Sequence, residues 1–230
     1  MTLHFSNLDT AAEIAARRQS YAERRPHRSG IYRNGGKRAL ETAFILLALP
    51  IVLPLIAVLA VLVSLDGGSA FYSQTRIGRG GRMFRMWKLR TMVPDAEARL
   101  RDYIATNPVA RAEWTATQKL KDDPRITPVG RFLRKSSIDE LPQLWNVITG
   151  SMSLVGPRPM MVEQQALYYG HGYYNQRPGI TGLWQISDRN ESEFAGRVRY
   201  DDIYDRCVSL KTDLAVLVRT VGVVLRCTGY

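Results

Sequence analysis

The 230-residue sequence predicts an α+β protein attached to a membrane by one apolar segment. Three observations support this fold class. Residues 43–65 contain no charge, residues 66–92 have the pattern of two short strands, and several later stretches have helical periodicity. We predict a mobile basic arm over 1–36, a membrane segment over 37–65, and a cytosolic domain over 66–230 that ends in an amphipathic helix.

Composition narrows the class of partner. The chain has a formal net charge of +11 and a pI near 9.9, so nucleic acid, anionic lipid and phosphorylated small molecules are the expected partners. Cys207 and Cys227 belong to no Cys/His cluster, which argues against a zinc site or a disulfide framework and fits a reducing cytosolic setting. Both cysteines are interpreted as small buried hydrophobic residues.

The apolar segment, residues 43–65, is long enough to cross a bilayer, which takes about 20 residues. Pro50 and Pro54 interrupt it, and each removes a backbone donor from a helix. Both flanks are basic, with eight Arg and Lys in residues 1–38 and six in residues 76–90. The positive-inside rule therefore favours a re-entrant helix-break-helix hairpin that keeps both flanks in the cytoplasm. An ordinary kinked transmembrane helix is the alternative.

The later elements follow from periodicity and from Pro and Gly. Two short strands are predicted within 66–92, joined at Gly80-Gly81. Helices are predicted over 94–105 and 108–120, from about Asp139 to Gly150, and over 209–226. DDPRITPVG is predicted to be a loop, SLVGPRP irregular, and QRPGITGLWQIS a turn followed by a strand.

Two apolar surfaces have more than one interpretation. The final helix places a broad stripe on one face, made of Leu210, Leu214, Leu217, Val218, Val221, Val224 and Leu225. Core packing and a position at the membrane interface both fit this stripe, because basic residues lie at its sides. A tyrosine cluster also suits the interface, at Tyr168, Tyr169, Tyr173 and Tyr174.

An acidic pair, Asp139-Glu140 in SSIDELPQLWN, contrasts with the basic chain around it. Ser137 and Glu140 match a capping box, in which neither acid performs chemistry. Pro142 fits a helix that starts near Asp139, because proline is tolerated in a first turn. In the catalytic interpretation, the helix dipole keeps Asp139 ionised as a nucleophile toward phosphorus, and Glu140 holds Mg²⁺ against substrate phosphates.

Cations for such a site occur in predicted loops, several of them stiffened by proline. They are Lys88, Arg90, Arg125, Arg131, Arg134, Arg158 and Arg177. Guanidinium groups in stiff loops suit phosphate binding, but each single residue also fits a solvated surface charge. The IGRGG stretch fits a hairpin turn or a phosphate loop, and no P-loop lysine motif follows it.

Taken together, these residues resemble the bacterial sugar transferase family, the small monotopic phosphoglycosyl transferases that begin glycan assembly on polyprenyl phosphate. The matching stretches are Lys37-Arg38, the proline-broken apolar segment, DGGSAFYSQTRIG, FRMWKLRTM, DDPRITPVGRFLRKSSIDELPQLWNVITGSMSLVGPRP, and RPGITGLWQIS with Arg189-Asn190. They cover about residues 37–230, and the core from 122 to 159 is highly specific. The resemblance is nearest to short exopolysaccharide initiators that transfer galactose 1-phosphate or glucose 1-phosphate.

The resemblance implies a re-entrant hairpin joined to a small α+β cytosolic domain with amphipathic helices on the membrane. It also implies that Asp139 is the nucleophile, that Glu140 is associated with the metal, and that Pro54 breaks the hairpin. Three cations match positions expected to meet the nucleotide-sugar phosphates, namely Lys88, Arg125 and Arg158.

Two positions depart from the family pattern. Many members have serine where this chain has Leu53, so the geometry of the hairpin break is open and Pro50 is a second candidate for it. Many members have glycine where this chain has Asp188, which bears on the nearby loop or on sugar preference.

The sequence therefore predicts a transferase at the cytoplasmic face of the bacterial inner membrane. The resemblance implies that it carries hexose 1-phosphate, of galactose or glucose, from a UDP-sugar through a covalent aspartyl intermediate to undecaprenyl phosphate. The expected cofactor is Mg²⁺, membrane lipid is an expected partner, and downstream glycosyltransferases are candidate partners. An N-acetylated amino sugar as the transferred group is one alternative, and a non-catalytic basic membrane scaffold is another. Nucleic acid is not an expected partner, because no recognised binding motif is present and the apolar segment opposes it.

Overall fold

The computed structural model describes residues 30–117, 120–187 and 194–225. A single π-helical turn at Tyr32–Gly36 precedes the first α-helix. The α-helices are α1 Lys37–Ser64, α2 Ala96–Thr106, α3 Pro108–Thr117, α4 Pro128–Ser136, α5 Gln143–Ile148, α6 Gly172–Asn175, α7 Leu183–Ile186, α8 Arg197–Cys207 and α9 Leu210–Leu225. The strands are β1 Phe71–Ile77, β2 Met83–Leu89, β3 Ser153–Val155 and β4 Gly179–Thr181. This mixture of helix and sheet confirms the predicted combination of helices and strands.

The chain forms two compact units, and each has its own apolar core. The described residues of the first unit are 30–47, 74–86, 143–187 and 194–223, and those of the second are 48–73, 87–117, 120–142 and 224–225. Buried residues of the first unit include Ile77, Met160, Tyr168, Tyr173, Tyr174 and Val198, with Val155, Tyr204 and Val216 in a further cluster. In the second unit, Leu59 and Val63 of α1 pack against Leu89 and Leu133.

The apolar segment lies in one helix, α1, with Pro50 and Pro54 inside it. The stretch Tyr32–Ser64 is long and apolar enough to cross a membrane: an 18-residue window within it has a mean hydropathy of 3.0, and 11% of that window is buried. The structure does not confirm the predicted reversal at the prolines, which stays a prediction. Residues 1–29 of the predicted basic arm lie outside the described residues.

A hairpin joins β1 to β2, as predicted. The two strands pair across a connection of only five residues, which is too short for a parallel crossover. Gly80 and Gly81 have φ values of 64° and 75°, a region that glycine enters without steric cost. The IGRGG stretch is therefore a hairpin turn.

A second pair of strands, β3 and β4, is parallel, with Ser153 opposite Gly179 and Val155 opposite Thr181. The prediction of irregular chain at SLVGPRP is wrong for these three residues of β3, because a three-residue strand has too little alternation to be recognised. The prediction of a strand after the turn holds for β4, but α7 follows it where more strand was expected.

The predicted helices over 94–105 and 108–120 are confirmed as α2 and α3, with residues 118–119 outside the described part. The placement of Arg131 and Arg134 in a loop is wrong, since both lie on α4. Thr127 explains this helix start, because its Oγ1 accepts a hydrogen bond from Gly130 N at 2.9 Å. Pro128 then occupies the first turn, where its missing N–H costs nothing.

The tyrosine cluster is mostly core. Tyr168, Tyr173 and Tyr174 are buried with their rings 5.4–5.8 Å apart, whereas Tyr169 is exposed. The interpretation of these tyrosines as an interfacial belt is therefore wrong for three of the four. Their rings pack edge-to-face or tilted, an arrangement that aromatic pairs favour.

The predicted stripe of the final helix is largely solvent-facing. Leu210, Leu214, Val218 and Val221 are all exposed, whereas Val216 on the opposite side is buried. The core-packing interpretation of this stripe is therefore wrong for those four residues. Cys207, predicted to be buried, is exposed at the end of α8. Arg226 and Cys227 lie outside the described residues.

Candidate active site

The acidic pair lies in a short 3₁₀ turn, Ile138–Glu140, between α4 and α5 in the sequence. Ser137 ends α4 in the left-handed region, with φ 56°, and its side chain makes no capping hydrogen bond. The predicted capping box is therefore wrong. The helix expected from Asp139 begins later, at Gln143 directly after Pro142, so proline sets where α5 starts.

Lys88 on β2 reaches both acids. Its Nζ lies 2.7 Å from Glu140 Oε1 and 3.6 Å from Asp139 Oδ2. The Asp139 side chain is 10% exposed, whereas those of Lys88 and Glu140 are about one quarter exposed. The structure thus brings together three of the predicted site residues, with the aspartate innermost.

Burial raises the pKa of Asp139, and the neighbouring Glu140 carboxylate raises it further. Lys88 and Arg134 oppose this by favouring the charged form. The expected helix dipole is not what favours the ionised form of Asp139: two cations do so, and they offset only part of the cost of desolvation, so the pKa stays above its ordinary value. This balance makes the charge of Asp139 sensitive to any group that enters or leaves the site.

Arg134 on α4 is held by a hydrogen bond from its Nε to Thr91 Oγ1 at 2.8 Å. Burial lowers the pKa of its guanidinium, and the carboxylates of Asp139 and Asp123 offset that shift. Since a guanidinium has five N–H donors, this single bond leaves most of them available to a ligand.

Arg125, also predicted to bind substrate, is paired with Asp123. Its Nε and Nη2 donate to the two carboxylate oxygens of Asp123 at 2.8 and 2.7 Å. Its guanidinium also lies 5.1 Å from the centre of the Trp114 ring. Both members of this pair are buried, so Arg125 is fixed in place, with its Nε and one Nη committed to Asp123.

Arg90 forms hydrogen bonds at the C-terminal end of α1. Its guanidinium donates to Asp66 at 2.8 and 2.5 Å, to Val63 O at 3.0 Å, and to the carbonyl oxygens of Ser69 and Met92. Because its N–H groups donate to protein oxygens, Arg90 has a structural role in this part of the chain, and its predicted contact with substrate stays a prediction. Arg131 is exposed on α4.

The last two predicted cations, Arg158 and Arg177, belong to the first unit. The Arg158 guanidinium lies 5.8 Å from the centre of the Trp184 ring, and Arg197 donates to the Arg158 carbonyl oxygen. Arg177 Nε donates to Gly150 O at 2.9 Å. Burial lowers the pKa of Arg177, and the nearby charges of Arg79 and Arg38 lower it further.

Sequence reasoning missed Thr91 and Asp123. The motif DDPR carried a signal for Asp123, because an acid two residues before an arginine at a proline turn can form a local pair. No sequence signal marks Thr91, since its partner is 43 residues away.

The donor set fits a magnesium ion that is shared with a substrate. Among the described residues, no cluster of three or more His, Cys, Asp or Glu could hold a metal by itself. Mg²⁺ is commonly bound by one or two carboxylates together with substrate phosphates and water. Glu140 is a carboxylate of this kind, and in this structure Lys88 Nζ lies 2.7 Å from its Oε1 and 3.6 Å from Asp139 Oδ2.

Comparison with known proteins identifies relatives. A family model described as bacterial sugar transferase matches residues 32–227. A UDP-galactose-lipid carrier transferase of Erwinia amylovora is 46% identical over 195 residues, which cover 84% of this chain and 41% of that protein. An undecaprenyl-phosphate galactose phosphotransferase of Salmonella typhimurium is 45% identical over the same shares. The exopolysaccharide production protein ExoY of Sinorhizobium fredii is 43% identical over 210 residues, covering 89% of this chain and 93% of ExoY.

The coverage differs among these relatives. The chain spans about two fifths of the length of the first two proteins and nearly all of ExoY. The matched region includes the acidic pair, Lys88 and Arg134.

Proposed function

Because this chain belongs to the bacterial sugar transferase family, we propose that it transfers hexose 1-phosphate from a UDP-sugar to undecaprenyl phosphate and so initiates glycan assembly. The observation that carries the proposal is a buried carboxylate, Asp139, with Lys88 Nζ 3.6 Å away and with the charge of Arg134 also favouring its ionised form. That arrangement suits attack on an anionic phosphorus centre, because the cations favour the ionised nucleophile and attract the substrate.

In the first step, an Asp139 carboxylate oxygen attacks the β-phosphorus of the UDP-sugar. The bond from that phosphorus to the bridging oxygen breaks, and UMP leaves with the electron pair. Hexose phosphate is then bonded to Asp139 as an acyl phosphate. Lys88 and Arg134 bind the charged oxygens and stabilise the negative charge that shifts to the leaving group.

In the second step, an oxygen of undecaprenyl phosphate attacks the same phosphorus, and the bond to Asp139 breaks. The carboxylate is regenerated, and the product is a diphosphate-linked sugar on the lipid. Burial of Asp139, which is 7% exposed, keeps water from competing with this acceptor. The phosphate of the acceptor lies at headgroup depth, so a site held at that plane by α1 reaches it without a diffusional search.

Glu140 is the residue that would hold Mg²⁺ together with the diphosphate of the donor, with Lys88 moving aside from it. A bound Mg²⁺ supplies charge neutralisation on the diphosphate as it breaks. EDTA is expected to stop UMP release and added Mg²⁺ to restore it. Full activity in EDTA would remove the metal from the proposal.

The decisive experiment is UMP release from UDP-galactose by the detergent-purified full chain, with UDP-glucose and UDP-N-acetyl sugars tested beside it. We propose galactose as the transferred sugar, because two relatives are named for it. In the absence of acceptor, mass spectrometry is expected to find hexose phosphate on a peptide that contains Asp139. Release of UMP only when acceptor is present, with no adduct, would favour direct transfer.

We further propose that α1 is re-entrant at Pro50 and Pro54, which keeps both of its ends at the cytoplasmic face of the inner membrane. A Cys227→Ser variant with Ser29→Cys leaves one cysteine before α1 and the exposed Cys207 after it. An impermeant thiol reagent added to spheroplasts is expected to label neither cysteine until the cells are opened. Labelling of the cysteine at position 29 alone in intact spheroplasts would instead show that α1 crosses the membrane.

A further inference from the structure

We infer that Thr91 is a positioning residue for the donor site: it holds Arg134 in the orientation that binds the phosphates of the sugar nucleotide. The inference rests on the proposed function, because that function assigns Arg134 to those phosphates. Thr91 itself touches no reacting atom and acts through Arg134.

Three contacts join Thr91 to α4 and the residue before it. Thr91 Oγ1 accepts the hydrogen bond from Arg134 Nε at 2.8 Å, and Thr91 O accepts one from Thr127 N at 3.1 Å. The third contact is the close packing of Gly130 on the Thr91 backbone, where an added Cβ would lie 2.0 Å from Thr91 O. Thr91 is buried, and these three contacts fix the start of α4 and the Arg134 side chain against it.

The Nε contact decides which donors Arg134 offers to a ligand. Among the described residues, neither Nη group of Arg134 makes a hydrogen bond, so these two groups are the ones that can meet an anion. A guanidinium fixed at Nε keeps its plane, and a fixed plane suits the two parallel bonds that phosphate accepts. The charge of Arg134 also acts on Asp139, which places the guanidinium within electrostatic range of the nucleophile.

Thr91→Val tests this arrangement, because valine has the shape of threonine but no hydrogen-bond acceptor. Loss of a hydrogen bond to a charged group is expected to weaken UDP binding about tenfold, measured by titration calorimetry on the full chain in detergent. The KM for the UDP-sugar is expected to rise by a similar factor with a much smaller change in kcat. Thr91→Ser keeps the hydroxyl and is expected to bind UDP within about twofold of the wild type.

A double-mutant cycle separates positioning from an independent effect. Arg134→Met removes every side-chain donor at this position, so Thr91 has nothing left to orient in that background. The double variant, Thr91→Val with Arg134→Met, is therefore expected to bind UDP no more weakly than Arg134→Met alone. Additive losses would overturn the inference.

Thr127→Val is the matched control, since it removes a threonine hydroxyl that caps α4 and leaves the Thr91–Arg134 bond in place. It is expected to lower the unfolding temperature with little change in UDP affinity. If Thr127→Val weakens UDP binding as much as Thr91→Val, then Thr91 merely stabilises α4 and the inference is wrong. It is also wrong if the wild type does not bind UDP. If UDP affinity follows the expected pattern but no UDP-sugar yields UMP, then the positioning is supported and the proposed function fails.

Discussion

Two acidic clusters in this chain are built in opposite ways. Asp139 and Glu140, in the second unit, share Lys88, and among the described residues no hydrogen-bond donor from the backbone is directed at the Asp139 carboxylate. Glu41 and Asp213, in the first unit, share Lys37 but are otherwise surrounded by neutral donors. Each cluster contains two acids and one lysine, but the Asp139 carboxylate accepts fewer further hydrogen bonds from the described residues than those of Glu41 and Asp213.

The Glu41–Asp213 cluster is saturated. Its additional donors are Ser153 Oγ at 2.7 and 2.9 Å and Leu154 N at 3.0 Å for Glu41, and the hydroxyls of Tyr32 and Tyr204 at 2.7 Å each for Asp213. A carboxylate with its lone pairs occupied is a poor nucleophile and a good structural anchor. The comparison teaches that the unsaturated carboxylate, Asp139, is the one available for chemistry.

The largest expected effect is that of Asp139→Asn. Removal of the nucleophile is expected to lower the rate of UMP release by roughly three orders of magnitude or more, as for nucleophiles in other covalent enzymes. The unfolding temperature is expected to stay the same or rise, because an amide is cheaper to bury than a carboxylate. Turnover of this variant at the wild-type rate would show that the nucleophile is assigned wrongly.

Asp213→Asn is expected to act on stability and not on chemistry. It leaves the half-buried Lys37 with weaker compensation, and breaking its pair with the buried Asp213 costs about 3 kcal/mol. For a chain of this size that corresponds to a fall of roughly 6–12 °C in the unfolding temperature, measured by a thermal melt in detergent. UMP release at low temperature is expected to stay near the wild-type rate, and a loss of 100-fold there would contradict the division between the two clusters.

Lys88→Met is expected to lower kcat about 100-fold, because it removes a cation beside the developing charge. It also changes the pH profile. Burial raises the pKa of Asp139 and Lys88 opposes that, so the variant has a still higher pKa. Since Asp139 must be ionised to attack, activity is lost as pH falls through its pKa, and this loss is expected at higher pH in the variant. If the acid limb of the kcat/KM profile is unchanged in the variant, Lys88 does not influence the ionisation of Asp139.

Arg90→Met has the smallest expected effect on activity, with no change in the KM for the UDP-sugar, because Arg90 donates to protein oxygens. The screened pair with the partly exposed Asp66 contributes about 1 kcal/mol of the expected loss of stability, and the lost bonds to backbone carbonyl oxygens add to it. Hydrogen bonds from Arg90 lower the pKa of Asp66 from 3.8 to about 2, so the contribution of the pair is present above pH 4 and is lost as pH falls toward 2. A large rise in the KM for the UDP-sugar would instead show that Arg90 contributes to substrate binding.

Local pattern was enough to predict several parts of the molecule. The uncharged run of 43–65 gave the long helix, and Gly80-Gly81 gave the hairpin because the turn needs positive φ. Helix α4 was missed although Thr127-Pro128 marks its start, since the prolines in that stretch were interpreted as loop signals. The capping box at Ser137 failed because Ser137, in the left-handed region, ends α4 and its side chain makes no capping hydrogen bond.

The sequence by itself determined the family, the apolar segment and the acidic pair, because each can be recognised from contiguous residues without knowledge of the fold. Only the tertiary structure decided which cations serve the pair. Lys88 lies 52 residues from Glu140, and Thr91 lies 43 residues from Arg134, whereas Arg125 finds its acid two residues away. An arginine that pairs with a protein carboxylate has fewer donors left for a substrate. Which carboxylate it meets is set by tertiary packing and not by its position in the sequence.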